Sequence, residues 1–364
     1  MPKPHTAYAA AIVAFTHGTM TAIPCATDGR DDWPNVTIRA TPLATVAVVI
    51  LIALACLGAL FIYRLATLRR CQCALCTGEY VTAGLIGAGG FGKVYAVTRK
   101  SDSAKLVLKM IPCEDINDAT EALKEARELR FLVHPRIVRY VSDFLHVAKS
   151  AAVTARSDGD LYVCIVMERC RFDMRRYIQR TRRRGAAIPE ATVVRWAAQL
   201  VSALRYCHAK GVVHRDLASK NVFVTDTDDI RLGDFGLARS VRRHDTELTE
   251  AGTDVYKSPE AIAGGRRDAR KADIFALGIL LLELTTQRFA WERNGGGSLG
   301  AQLLAKEVGA LDAALAEVPT TYSPSLRLLI RRCLQPDPIL RPSAEDLFRC
   351  APPMIRYELS AVTA

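Results

Sequence analysis

Hydrophobic and polar positions along this chain change period several times. From Leu43 to Tyr63 the run LATVAVVILIALACLGALFIY carries no charged residue and is apolar on every face. As a helix rising about 1.5 Å per residue it is long enough for the roughly 30 Å hydrocarbon core of a bilayer. A buried core helix would alternate with polar positions, so the run predicts a membrane span. Beyond it the period drops to two: YVTAGLI, VYAVT and KLVLKMI read as strands. In DATEALKEARELRFL the apolar residues Ala122, Leu123, Ala126, Leu129 and Leu132 recur at helical spacing. Further on, ARKADIFALGILLLEL (269–284) predicts a largely apolar helix.

Composition adds class and topology. The chain has 364 residues, of which 50% are hydrophobic, enough for a sizeable core and for two or more structural units, so disorder is excluded as its main state. The net charge of +11 favours acidic partners such as anionic lipid, phosphorylated protein or nucleic acid without specifying one, and of these no nucleic acid is expected as the partner. Eleven cysteines form no regular framework, which fits a reducing compartment for most of the chain. Only Cys71, Cys73 and Cys76 cluster. Three ligands with no obvious fourth make a weak zinc site, and their place beside the membrane suits S-palmitoylation, with ordinary cysteines at a domain edge as the alternative.

Arg64, Arg69 and Arg70 follow the apolar run, whereas Asp28, Asp31 and Asp32 precede it with Arg30 and Arg39 close by. The excess of basic residues on cytosolic flanks puts the C-terminal part in the cytosol. Residues 1–42 then form a non-cytosolic segment. Within it Ala7 to Phe15 has the look of a signal-peptide core, with small residues near Ala22 for cleavage, and Asn35-Val36-Thr37 is a glycosylation sequon. The expected organisation is 1–42 outside, 43–63 spanning, 64–79 a juxtamembrane linker, 80–352 a globular domain and 353–364 a tail.

The globular part carries the chemistry. Gly87, Gly89, Gly92 and Val94 stand in the order G-x-G-x-x-G-x-V between two predicted strands. Without side chains there, backbone N–H groups can approach phosphates closely. A dinucleotide fold would use similar glycines ahead of a helix, whereas a second strand follows here. Lys109 lies fifteen residues after Val94, in the strand KLVLKMI. Downstream come VVHRDLASKNVF, RLGDFGLAR and YKSPE in one order.

Together these motifs resemble the eukaryotic protein kinases of the serine/threonine type over roughly residues 80 to 350. The resemblance implies an α+β bilobal kinase fold, a β-rich N-lobe and an α-helical C-lobe, here preceded by one transmembrane helix. With the predicted span it makes the chain a single-pass membrane protein with a cytosolic kinase domain, and it implies ATP and Mg²⁺ as cofactors and protein substrates. Lys109 would hold the ATP phosphates and pair with Glu125, with Glu121 and Glu128 as alternatives. In LYVCIVMERC, Met167 would be the gatekeeper, Glu168 to Cys170 would offer backbone groups to adenine, and Asp173 is a ribose contact. HVAKSAAVTARSDGD looks like a loop insert between two N-lobe strands. Asp216 would accept the substrate hydroxyl's proton, while Asn221 and Asp234 would hold Mg²⁺.

One departure from the resemblance stands in the catalytic loop. Most serine/threonine kinases place a lysine two residues after the catalytic Asp, where this chain has Ala218; Lys220, immediately before Asn221, is placed to supply the lost charge. Tyrosine kinases often put a cation at that second place. GTDVYKSPE, with Thr253 and Tyr256, has the serine/threonine arrangement, and that segment shapes the acceptor site. A pseudokinase scaffold at a membrane and a tyrosine or dual-specificity kinase remain the alternatives. Arg215 beside the Asp suggests control by phosphorylation at Thr249 or, second, Thr246. Asp273 would brace the catalytic loop, and Glu260 with Arg341 would form a buried pair. HPRIVRY, NVFV and the activation segment resemble the NIMA-related kinases, and ADIFALGILLLEL and CRFDMRRYI the translation-initiation-factor 2α kinases.

Overall fold

The two apolar runs of the sequence end in opposite surroundings. In the computed structural model, residues 50–58 of the first form a helix, α1, on which Ile50, Leu51, Ile52, Leu54 and Leu57 are all exposed. In the second, every residue from Asp273 to Thr285 is buried. The structure describes residues 12–16, 19–23, 50–58, 71–89, 92–148, 161–235, 239–240, 254–264, 268–292 and 298–349.

The chain divides at Arg70 into two units. In the first, β1 (Ile12–Thr16) and β2 (Thr19–Ile23) pair as an antiparallel hairpin, so the described end of the expected signal-peptide core is extended chain. Of the predicted span over 43–63, only residues 50–58 are described. Its residues 43–49 and 59–63 lie outside the described residues, α1 covers nine positions, and no described helix is long and apolar enough to cross a membrane. The sequon and the N-terminal part of the signal-peptide core also lie outside them.

The second unit begins at Cys71, so residues 71–79 of the expected linker belong to it. Its strand lobe is a five-stranded antiparallel sheet in the order β3 (Tyr80–Gly89), β4 (Gly92–Arg99), β5 (Lys105–Cys113), β7 (Leu161–Glu168), β6 (Tyr140–Val147). Helix α2 (Ile116–Leu129) packs across β5, β6 and β7. The alternation read from the sequence sorts the two faces: Val97, Leu106, Leu108, Cys164 and Val166 join Tyr80 in one small core, while Cys113, Val163 and Ile165 meet Ala119 and Ala126 of α2 in another. Residues 149–160 of the predicted insert lie outside the described residues, but its first two, His146 and Val147, complete β6.

The helical lobe follows β8 (Phe172–Asp173). Its elements are α3 (Met174–Arg183), α4 (Glu190–Ala209), β9 (Val212–Val213), β10 (Val222–Val224), β11 (Ile230–Leu232), β12 (Arg239–Ser240), α5 (Pro259–Ala263), α6 (Ala269–Thr286), α7 (Leu299–Leu304), α8 (Ala310–Ala316), α9 (Pro324–Cys333) and α10 (Ala344–Arg349). Helix α4 packs on α6 and α10, and α6 on α9, around one core in which Trp196, Phe275 and Phe289 are fully buried. Asp268 caps α6 by accepting from the Arg270 N–H, and Gln287, left-handed at φ 53°, ends it. Trp196 stacks edge-on to Tyr177 at 4.8 Å and donates its indole N–H to the Asp228 carbonyl at 2.8 Å, so its removal would cost about 3–5 kcal/mol.

Candidate active site

The loop 214–221 is held between β9 and β10 by groups beneath it. Asp273 of α6 is buried, and its carboxylate accepts from the backbone N–H of His214 at 3.0 Å, from that of Arg215 at 2.9 Å and from His208 Nε2 at 2.9 Å. Burial works to raise the Asp273 carboxyl, but His208 outweighs it and the group sits below the ordinary carboxylate range. This bracing holds Arg215 left-handed at φ 66°. The fully buried His214 ring accepts from the Asp216 N–H at Nδ1 (3.3 Å), which assigns the proton to Nε2 for donation to the Gly233 carbonyl at 3.1 Å. One imidazole thus fixes the spacing between Asp216 and the next motif, Gly233-Asp234, while Phe235 packs on its ring at 4.7 Å.

Asp216 sits in a polar fork. Asn221 Nδ2 donates to its carboxylate Oδ2 at 2.9 Å and to its backbone carbonyl at 2.7 Å, and Lys220 Nζ stands 3.3 Å from the same Oδ2. The Lys220 side chain keeps 40% of its surface exposed, whereas Ala218 is 1% exposed within the helical core. Lys220 therefore places a cation beside the Asp216 carboxylate, where Ala218 offers none.

Sequence reasoning passed over Ser219 and Glu283. The Ser219 N–H and hydroxyl reach the Tyr256 hydroxyl at 3.3 and 2.9 Å, and that hydroxyl donates to Glu283 at 2.7 Å. Glu283 also accepts from the Ala290 N–H at 2.9 Å. Burial and the neighbouring carboxylate push the Tyr256 phenol well above its usual range, so it remains a donor. The chain ties its catalytic loop to the segment expected to meet the acceptor through this buried chain of bonds. A signal for it was a second acidic residue inside an otherwise apolar helix.

On the strand-lobe side, Gly87, Gly89, Gly92 and Val94 lie on the β3–β4 hairpin, where Gly89 pairs with Gly92 and Gly87 with Val94. Gly92 has φ 109°, and a Cβ there would stand 2.0 Å from the Met110 carbonyl oxygen, so the close approach of β4 to β5 admits only glycine. Val94 pairs in turn with Lys109. Lys109 Nζ reaches across to Asp234 Oδ1 at 2.5 Å. The expected partner Glu125 lies on α2, but its side chain falls outside the described residues. Burial works to raise the Asp234 carboxyl, yet Lys109, with Lys220 adding to it, brings it below the ordinary range. Asp234 is itself left-handed at φ 55°.

Met167 lies in β7 opposite Val107 and Tyr140. The Glu168 N–H donates to the Arg139 carbonyl at 2.9 Å, while its carboxylate accepts from the Arg139 N–H at 2.6 Å and pairs with Arg231 at 3.2 Å. Cys170 follows, with burial pushing its thiol up to about 12. Asp173 caps α3 by accepting from the Arg176 N–H at 2.8 Å. Thr246 and Thr249 lie outside the described residues. Glu260 and Arg341, both buried, join in a two-pronged ion pair at 2.6 and 3.1 Å.

A glycine hairpin, a lysine on the next strand, an acid–amide loop and a second carboxylate thus converge. Residues 80–351 match the protein kinase domain family. This chain belongs to that family. Among curated proteins it is similar to the serine/threonine-protein kinase Nek4 of Mus musculus, at 32% identity over 77% of this chain and 33% of the relative. It is also similar to the probable serine/threonine-protein kinase nek3 of Dictyostelium discoideum, at 33% over 74% and 23%, and to Nek8 of Danio rerio, at 29% over 74% and 36%. The kinase domain of this chain is thus similar to those of NIMA-related kinases, and the chain spans about a third of those relatives' length or less.

Proposed function

We propose that this kinase transfers the γ-phosphoryl group of ATP to serine or threonine in protein substrates while anchored to a membrane. The observation that carries the reading is the fork at Asp216. Its carboxylate has an amide donor and a cation on one oxygen, so Lys220 compensates for Ala218 at the position where the charge is needed. As the substrate oxygen bonds to the γ-phosphorus and the bond to the leaving ADP oxygen breaks, Asp216 would take the hydroxyl proton, and Lys220 would steady the charge beside it. The residues fit MgATP: the open space over the Gly87 backbone leaves room for phosphate, and Asp234 with the Asn221 amide oxygen offers the hard oxygen ligands that Mg²⁺ takes. Bound there, Mg²⁺ would neutralise charge on the phosphates. Lys109, drawn from Asp234, would meet the phosphates with Glu125 behind it, and the hinge from Met167 to Cys170 with Asp173 would receive the nucleoside.

The serine/threonine preference rests on Tyr256 and its bond to Ser219, together with the likeness to serine/threonine-protein kinases. The test is phosphotransfer from MgATP to casein by the purified full chain, with Asp234→Ala as control and phosphoamino-acid analysis of the product. Phosphoserine or phosphothreonine that disappears in the control is expected. Phosphotyrosine would move the acceptor preference to the catalytic loop, and a signal equal to the control would make the chain a pseudokinase scaffold. Support for the anchor is the uncharged run 43–63, followed by Arg64, Arg69 and Arg70, and the exposed apolar side chains of α1. Retention of the full chain in membranes after alkaline extraction is expected, with release once 43–63 is deleted; release of the intact chain would sink the anchor. Thr249, with Thr246 second, is proposed as the regulatory acceptor whose phosphate Arg215 would meet, tested by the loss of activation in Thr249→Ala.

A further inference from the structure

A fourth ligand completes the cysteine cluster. The Sγ atoms of Cys71, Cys73 and Cys76 and a ring nitrogen of His146 all lie within 4.8 Å of one another. His146 Nδ1 is 4.0 Å from Cys71 Sγ, 3.3 Å from Cys73 Sγ and 3.6 Å from Cys76 Sγ. A tetrahedron built on Zn–S of about 2.3 Å and Zn–N of about 2.0–2.1 Å has S···N edges of roughly 3.6 Å and S···S edges of roughly 3.8 Å. We propose that these four residues bind one structural zinc ion, a closed Cys₃His site separate from the nucleotide cleft.

The backbone is built to present these ligands. After Cys73 the chain turns back: Thr77 N–H donates to the Cys73 carbonyl at 3.0 Å and Glu79 N–H to the Ala74 carbonyl at 2.9 Å, with Gly78 left-handed at φ 78°. Ala74 and Leu75 pack on the core of Tyr80, Phe144 and Tyr162, which turns the cysteines toward β6. The Val147 N–H points at Cys71 Sγ at 3.5 Å, a contact that steadies a thiolate. All nine cysteines among the described residues are free thiols, the state a zinc site requires. A lipid-modified cysteine would instead have to face the membrane.

The ion would have mechanical work. β3 and β6 are the two outer strands of the sheet, yet Tyr80 stacks on Phe144 at 6.1 Å and its hydroxyl meets Ser142 Oγ at 3.0 Å, so the sheet curls until its edges meet. Zinc held by the turn before β3 and by His146 of β6 staples that seam. Metal affinity there would be folding free energy for the strand lobe.

The experiment is metal analysis of the full chain, purified in detergent and reductant without chelator, by mass spectrometry. About one zinc per chain is expected. Cys73→Ser and His146→Ala should lose it, Cys56→Ser, on exposed α1, should keep it, and His146→Cys should regain it as a four-thiolate site. Cobalt exchanged into the intact chain should show the intense visible bands of tetrahedral thiolate coordination, altered in His146→Cys. Where His146→Ala fails to fold, the folded His146→Cys protein decides: without zinc, it overturns the proposal. Metal-free wild-type protein, zinc unchanged in His146→Ala, or a hydroxylamine-labile acyl group on Cys71, Cys73 or Cys76 would each overturn it as well.

Discussion

The two lobes are fastened by different chemistry. Among the described residues every buried polar or charged side chain, from Gln199 to Arg341, belongs to the helical lobe, and the strand lobe has none. The helical lobe surrounds its internal bonds with one large apolar core, whereas the strand lobe rests on two small clusters. Charge inside a low-dielectric core is costly when unpaired and directional when satisfied. The difference teaches that the catalytic loop is held by buried polar bonds, while the strand lobe that carries Lys109 is held by its sheet and by apolar packing.

Cutting one wire should have the largest effect. Arg341→Met leaves Glu260 buried without its partner and should destabilise the protein by about 3–5 kcal/mol, read as the urea midpoint of the helical transition. Replacing both, as Glu260→Met with Arg341→Met, should recover most of the loss, because two apolar side chains leave no orphaned charge. A double variant as unstable as the single one would mean that the cost lies elsewhere, in the Arg341 bonds to the Gln335 and Lys271 carbonyls.

At the junction of the lobes the test is catalytic. Lys220→Ala should lower kcat about 10²–10³-fold, the usual cost of losing one charge beside the reacting groups, with little change in stability, since Lys220 is 40% exposed. Lys220→Arg should retain activity within about tenfold of the wild type, as it keeps the charge but not its shape. A full rate in Lys220→Ala would show that this loop works without the cation.

The strand lobe can be broken at Gly92. Gly92→Ala would drive a Cβ into the Met110 carbonyl from a backbone at φ 109°. The cost should be about 1–3 kcal/mol, absorbed locally by a shift of the hairpin. Its main sign should be a KM for ATP raised roughly tenfold, because the phosphate-facing backbone moves. An unchanged KM would show that this turn does not set the nucleotide's position.

Legibility in the sequence followed the same division. The glycine hairpin, Lys109 and the Asp216–Asn221 loop could be read because each motif is local and its spacing is set by one turn or one strand. The buried wiring was half legible: Asp273, Glu260 and Arg341 followed from the resemblance to protein kinases, but Glu283, the second acidic residue of an otherwise apolar helix, has partners at Tyr256 and Ala290 that no local pattern names. The link from Lys109 to Asp234 joins residues 125 apart, and no local pattern chooses it over Glu125. The His146 ligand was hidden for two reasons. It lies 70 residues from Cys76, and it stands at the end of β6, where the sequence reads as the start of a loop insert.

The smallest predicted effect is a pH dependence at the boundary between the two lobes. His134 packs on Tyr206 at 5.0 Å, accepts from the Arg136 N–H at 3.1 Å and meets Ser202 Oγ at 3.3 Å. Burial, with the Arg136 charge adding to it, holds its imidazole down at about 4. An unfolded histidine titrates near about 6.5, so between these two values the unfolded chain binds more protons than the folded one. Stability from this group is therefore complete above about pH 6.5 and is lost as the pH falls toward 4. For a half-buried ring the loss should be about 1–2 kcal/mol after allowance for solvent. Carboxylates such as Asp229, whose pKa is lowered by Arg136 and Gln199 against the opposing effect of burial, lose their share only at lower pH. Thermal melts of the wild type and His134→Gln between pH 7 and pH 5 should separate the two contributions. The wild type should lose Tm faster on acidification, and parallel slopes would assign the acid sensitivity to the carboxylates of the buried wiring instead.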